Sequence, residues 1–107
     1  MDTDNLSTIL AFMLADLPGV RIGKHIHNIN FLVGEKVFAF IKGDEGVAMK
    51  LPRAKCQELI AQQQAIPLVM GKRVMKEWIV LQHESAEDYK ADLALFQESI
   101  AFVSAKA

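Results

Sequence analysis

A chain of 107 residues, 51% hydrophobic and 23% charged, has apolar side chains for one core, too little length for two, and a composition far from that of disordered chains. The lone Cys56 excludes an intrachain disulfide and thiol-pair redox chemistry, and no apolar run approaches the roughly 20 residues that span a bilayer. A net charge of -1 gives no overall field to attract an anionic partner, so any such role needs cations gathered locally.

Leu6, Ile9, Leu10, Met13, Leu14 and Leu17 recur at the three-and-four spacing of one helix face. They predict a first helix over residues 4–16, with Thr3 or Asp4 as its cap and Pro18-Gly19 as its stop. His25–Val33 and Lys36–Lys42 read as two strands joined by Gly34-Glu35, a two-residue turn with glycine first and therefore of type II′. The loop Gly43-Asp44-Glu45-Gly46 leads to a third strand, Val47–Leu51. Strict alternation sends Val37, Ala39 and Ile41 one way and Phe38 and Phe40 the other, so both sheet faces need cover. Pro52 suits a first helical turn, and Cys56, Leu59 and Ile60 supply the stripe of a second helix ending near Gln64.

Residues 65–74, containing Pro67 and Gly71, read as a loop, and Met75–Gln82 as a fourth strand. Ser85 with Asp88 three residues later resembles a capping box, which starts the last helix near Ala86. Tyr89, Leu93, Phe96, Ile100 and Val103 make its buried seam; Leu95 and Phe102 lie off it and are candidates for a homodimer contact. The expected fold is α+β: a single two-layer domain over residues 1–107, a mainly antiparallel sheet packed with helices in the order α-β-β-β-α-β-α. The start Met1-Asp2-Thr3-Asp4-Asn5 has no basic leader, and with the single cysteine it leads to a cytoplasmic expectation.

Charge is unevenly distributed along the chain. Residues 21–76 sum to +6, whereas both flanking segments are acidic. Lys50, Arg53, Lys55, Lys72, Arg73 and Lys76 fall at strand ends and loops and are the candidate nucleic-acid contacts, with Arg21 and Lys24 as further cations. The same charges also suit the solvated face of a sheet. Phe38, Phe40 and Trp78 could form a base-stacking platform, although aromatics of a small sheet are more often core.

Other chemistry finds little support. His25 and His27 would share a face of one strand and could join His83 around a metal, but two histidines are not a site and are far more often ordinary polar strand residues. Cys56, on the inner face of a helix and without an adjacent base, is expected to be inert. Gly71-Lys72 is no Walker loop, because Ile66 stands where the first glycine is needed and Arg73 replaces the hydroxyl residue. Asp44-Glu45 read as a turn, and Ser7, Ser85, Ser99 and Ser104 lack a nucleophile elbow. No catalytic residue, cofactor or metal site is expected.

Leu17-Pro18-Gly19-Val20, Gly34-Glu35-Lys36-Val37-Phe38-Ala39, Val47-Ala48-Met49-Lys50-Leu51-Pro52 and Gly71-Lys72-Arg73 with Met75-Lys76-Glu77-Trp78-Ile79, followed by a closing helix, resemble the MmcQ/YjbR-like proteins and the related TfoX amino-terminal domains. The resemblance spans nearly the whole chain. It implies a small bacterial α+β domain of a family described as DNA-binding through a double-wing arrangement, with contacts at the Gly34-Glu35 hairpin and around Gly71-Lys72-Arg73. The leading functional expectation is a non-enzymatic nucleic-acid-binding or regulatory domain. A protein interaction module or homodimer is the alternative, and a small-ligand or enzymatic role comes last.

Overall fold

The computed structural model describes residues 3–25, 28–43 and 45–105. Helix α1, Thr3–Leu14, buries Leu6, Leu10 and Leu14, spaced four apart. The chain then enters a sheet with β1 (Val20–His25), β2 (Asn28–Val33), β3 (Lys36–Lys42) and β4 (Gly46–Lys50). Helix α2 (Arg53–Ala61) leads to β5 (Ile66–Met70) and β6 (Arg73–Leu81). A 3₁₀ segment, Ala86–Asp92, runs into the closing helix α3, Leu93–Ala105.

All neighbours in the sheet order β1-β2-β3-β4-β6-β5 are antiparallel. Since β4 and β5 both oppose β6, they run parallel to one another, and α2 is the crossover such a pair requires. The α+β class and two-layer build hold, but the sheet has six strands where four were expected.

The segment expected as one strand from His25 is divided: β1 ends at His25 and β2 starts at Asn28, its partner. The segment 65–74 expected as a loop is a second hairpin. Pro67 is tolerated there because β5 is an edge strand, where a missing N–H need not break a ladder. Gly71-Lys72 closes that hairpin between the partners Met70 and Arg73, as Gly34-Glu35 closes the one between Val33 and Lys36. In both turns only the leading glycine has positive φ, +62° at Gly34 and +65° at Gly71, the sign pattern of type II′.

The helices pack on one face of the sheet, over a core that includes Phe31, Met49, Leu51, Ile79, Tyr89 and Phe96. A register shift alters the expected alternation on β3. Phe31 opposes Ala39 but Leu32 opposes Val37, which leaves Phe38 as an extra residue in a bulge. Phe38 consequently joins Ala39 and Ile41 in the helix-side core, while Phe40 alone packs on the opposite face with Ala48, Leu68, Val80, Met75 and Trp78.

Ser85 caps the closing segment, its Oγ accepting from Glu87 N at 3.3 Å, but the first turns wind as 3₁₀. That geometry stacks residues three apart, and both Ala86 and Tyr89 are buried. Tyr89 Oη then donates to Leu81 O at 2.9 Å, pinning the segment to the end of β6. Directly beside it Gly46 sits at φ +133°, where an added Cβ would lie 2.2 Å from Leu81 O. Only glycine lets β4 and β6 approach this closely. Leu95 and Phe102, expected off the seam, are half-buried against the main core; among the described residues the large exposed apolar side chains are Phe12, Ile22, Ile66, Val69, Met70 and Val74. Among the described residues, no helix is long and apolar enough to cross a membrane.

Candidate nucleic-acid interface

A second irregularity of the sheet shapes the site. Along β5 and β6, Pro67 opposes Ile79 but Leu68 opposes Met75, so Lys76, Glu77 and Trp78 have no partner on β5. On the opposite edge of β6, Trp78 pairs with Lys50 at the end of β4, and Leu51 N donates to Glu77 O at 3.0 Å. Extra residues on one strand bend it away from its neighbour. At this bend lies a cavity of about 450 Å³, lined by Lys50, Arg53, Arg73, Val74, Met75, Lys76, Glu77 and Trp78.

Four of the six cations singled out from the sequence therefore meet. Lys50 closes β4, Arg53 opens α2 just past Pro52, and Arg73 and Lys76 belong to β6. Among the described residues Glu77 is the one carboxylate in the lining, which leaves an excess of positive charge there. Among the described residues, none of the four cations forms an ion pair with a carboxylate. Lys50 Nζ lies 5.9 Å from the centroid of the Trp78 ring, within cation–π range. Phe40 supports that ring with centroids 5.5 Å apart and planes tilted by 54°.

Lys72 is exposed on the adjoining turn, beside Arg73 and outside the cavity lining. Lys55 is placed elsewhere: its Nζ lies 3.2 Å from Glu58 and 3.9 Å from Glu98, which ties α2 to α3. Other central cations are also spent locally. Arg21 donates from Nε and Nη2 to Gly34 O at 3.2 and 2.6 Å, and Lys42 pairs with Glu45. Among the described residues the basic segment thus holds one cluster around β6 and α2, with Arg21, Lys42 and Lys55 bonded locally elsewhere.

Of the other candidates, His27 and Asp44 lie outside the described residues, as does the side chain of His25. Among the described residues no group of three metal-ligating side chains gathers. His83 instead has Nε2 2.7 Å from Asp92 Oδ2 and stands edge-on to Tyr89, centroids 4.6 Å apart. Burial pushes the Tyr89 phenol above its ordinary value. Burial, and less strongly the charge of Glu77, likewise raises the Cys56 thiol, whose Sγ donates to Leu51 O at 3.5 Å. Ser99 is wholly buried, its Oγ 3.1 Å from Phe38 O and 2.5 Å from Lys50 O.

Sequence reasoning weighed Trp78, with Phe38 and Phe40, as a stacking platform but did not group it with the cations; of the three, Trp78 is the one in the cavity lining. Lys76 and Trp78 alternate along a strand and so share a face, which was a readable hint; the pairing of Trp78 with Lys50 was not. Comparison with protein families, curated proteins and solved structures finds no match.

Proposed function

We propose that this chain is a small non-enzymatic domain that associates with nucleic acid through the surface formed by Lys50, Arg53, Arg73 and Lys76, with Lys72 extending it. One observation carries this: cations separated by as many as 26 residues in sequence, on β4, α2 and β6, converge on one cavity without carboxylate partners among the described residues. Unpaired cations brought together this way release counterions from a phosphate backbone on binding, which gives affinity without reading sequence. The resemblance to MmcQ/YjbR-like proteins supports the same function, and membership of that family is part of the proposal. Anisotropy of a labelled oligonucleotide tests it. Binding at low salt should weaken steeply as salt rises and disappear when Lys72, Arg73 and Lys76 are reversed to Glu; no binding at low salt sinks the proposal.

A second function, self-association, is favoured by Phe12, which is 83% exposed on α1 next to a cavity of about 550 Å³ lined in part by Ile9, Met13 and Leu93. A ring so bare on a helix is an unusual use of a large apolar side chain. This moves the expected dimer contact from Leu95 and Phe102 to α1. Sedimentation equilibrium decides: dimers abolished by Phe12→Ser support it, and a strict monomer at high concentration removes it.

A further inference from the structure

We infer that the cavity between the end of β4 and the bend of β6 seats one unpaired base of a single-stranded nucleic acid against Trp78, with the surrounding cations holding the adjoining phosphates. This rests on the nucleic-acid function proposed above and narrows it.

Phosphate contacts alone need only cations on a surface, yet the lining of this cavity is apolar in part. Val74, Met75 and Trp78 contribute to its lining alongside the four cations. At about 450 Å³ it falls within the size range of sites that enclose small ligands. A flat, uncharged ring with a charged phosphate on either side matches a lining that is apolar in part and cationic in part. Single-strand binders combine these two features, a positive groove and aromatic rings for bases.

Trp78 is prepared for such a role. It is half-buried, so part of its surface remains open, and Phe40 holds it from the sheet. Its backbone is paired with Lys50. Stacking on a ring already ordered costs little conformational entropy. The Lys50 ammonium now sits over that ring at 5.9 Å, and its flexible stem lets an incoming base displace it towards the phosphate.

Duplex DNA fits the cavity poorly. Its bases are stacked and paired, and one could enter only by being flipped out at a cost in unpairing and unstacking. An unpaired strand offers its bases freely. The structure therefore points to single-stranded DNA or RNA ahead of duplex.

Trp78 is the only tryptophan in the chain, so intrinsic fluorescence reports on this cavity directly. The test compares three probes at matched low salt: oligothymidylate of about 12 nucleotides, an abasic oligomer of equal length, and a duplex of equal length. Oligothymidylate should quench Trp78 and bind roughly tenfold tighter than the abasic oligomer, the size expected for one stacked base. The duplex should bind no better than the abasic strand. Trp78→Leu should bring the affinity for oligothymidylate down to that for the abasic strand, the two measured on the same variant. Trp78→Phe, which keeps a ring, should retain part of the difference. If Trp78→Leu fails to fold, the wild-type comparison still decides.

Equal affinity and equal quenching by the abasic strand would overturn base seating while leaving phosphate binding intact, and so would a duplex that binds more tightly than oligothymidylate. If none of the three binds, the nucleic-acid function falls and base seating falls with it.

Discussion

Removing a single cavity cation should change the salt dependence of binding by a calculable amount, whereas removing Lys55 should not. Each phosphate neutralised on a single strand contributes about -0.7 to the slope of log affinity against log salt. With Lys50, Arg53, Arg73 and Lys76 all engaged, the slope is about -2.8, a loss of roughly fiftyfold between about 50 and 200 mM salt. Arg73→Gln leaves three contacts, a slope of about -2.1 and a loss of roughly twentyfold over the same interval. Lys55 is already held by Glu58 and Glu98, so Lys55→Gln should keep the wild-type slope. The assay is fluorescence anisotropy of a labelled oligonucleotide at four or more salt concentrations, with circular dichroism to verify folding. A slope near zero for the wild type would refute the electrostatic argument. Equal slope changes for Arg73→Gln and Lys55→Gln would refute the claim that the cavity, rather than the whole basic segment, makes the contacts.

Further outcomes concern the fold beneath the site. Gly46→Ala places a Cβ 2.2 Å from Leu81 O at a φ that L-residues rarely adopt, so it should cost about 3 kcal/mol or more in urea unfolding. A loss under about 0.5 kcal/mol would mean the strands separate easily there. Ser99→Ala strips a buried donor from the carbonyls of Phe38 and Lys50 and should lower stability by about 1–2 kcal/mol with an unchanged urea m-value; an unchanged midpoint contradicts this. Burial raises both the Cys56 thiol and the Tyr89 phenol, so the folded state holds these protons more tightly than the unfolded chain. Their contribution is constant below about pH 8.5 and declines as pH rises, the thiol responding first and the phenol above about pH 10. Cys56→Ala should flatten the earlier part of that decline, and identical pH profiles for the two proteins would count against a buried thiol.

What could be read from the sequence depended on whether local signals or pairing decided the outcome. The spacing of Leu6, Leu10 and Leu14 needed no tertiary information, and α1 forms where it was expected. Gly34-Glu35 was equally legible because a glycine-first, two-residue turn between strands has few alternatives. The same chemistry at Gly71-Lys72 was obscured by Pro67, which argues against a strand unless the strand is known to lie at an edge. Edge position depends on the sheet order, which is long-range information. Bulges raise the same difficulty: alternation placed Phe38 beside Phe40, and one extra residue opposite Phe31 and Leu32 turned it into the helix-side core. For the site, proximity to strand ends picked out Lys50, Arg53, Arg73 and Lys76 correctly as neighbours but also included Lys55, because its ion pair with Glu98 spans two helices distant in sequence.

The irregular stretch of β6 and the buried hydroxyl of Ser99 belong to one arrangement. Lys76, Glu77 and Trp78 leave the β5 ladder, while on the opposite edge of β6 Trp78 stays paired with Lys50 at the end of β4. That end is fixed from below, since Ser99 on α3 reaches the carbonyls of both Lys50 and Phe38, while Leu51 N is held by Glu77 O. The backbone that carries Lys50 is thereby tied to the closing helix on one side and to the Trp78 strand on the other. A cavity framed by strand and helix termini, with a loop at neither wall, has its backbone ordered before any ligand arrives, so binding must immobilise only the long cationic side chains. The two places where the described sheet departs from regular pairing accordingly have different consequences: the bulge at Phe38 adds to the core, and the bend at Lys76–Trp78 borders the cavity.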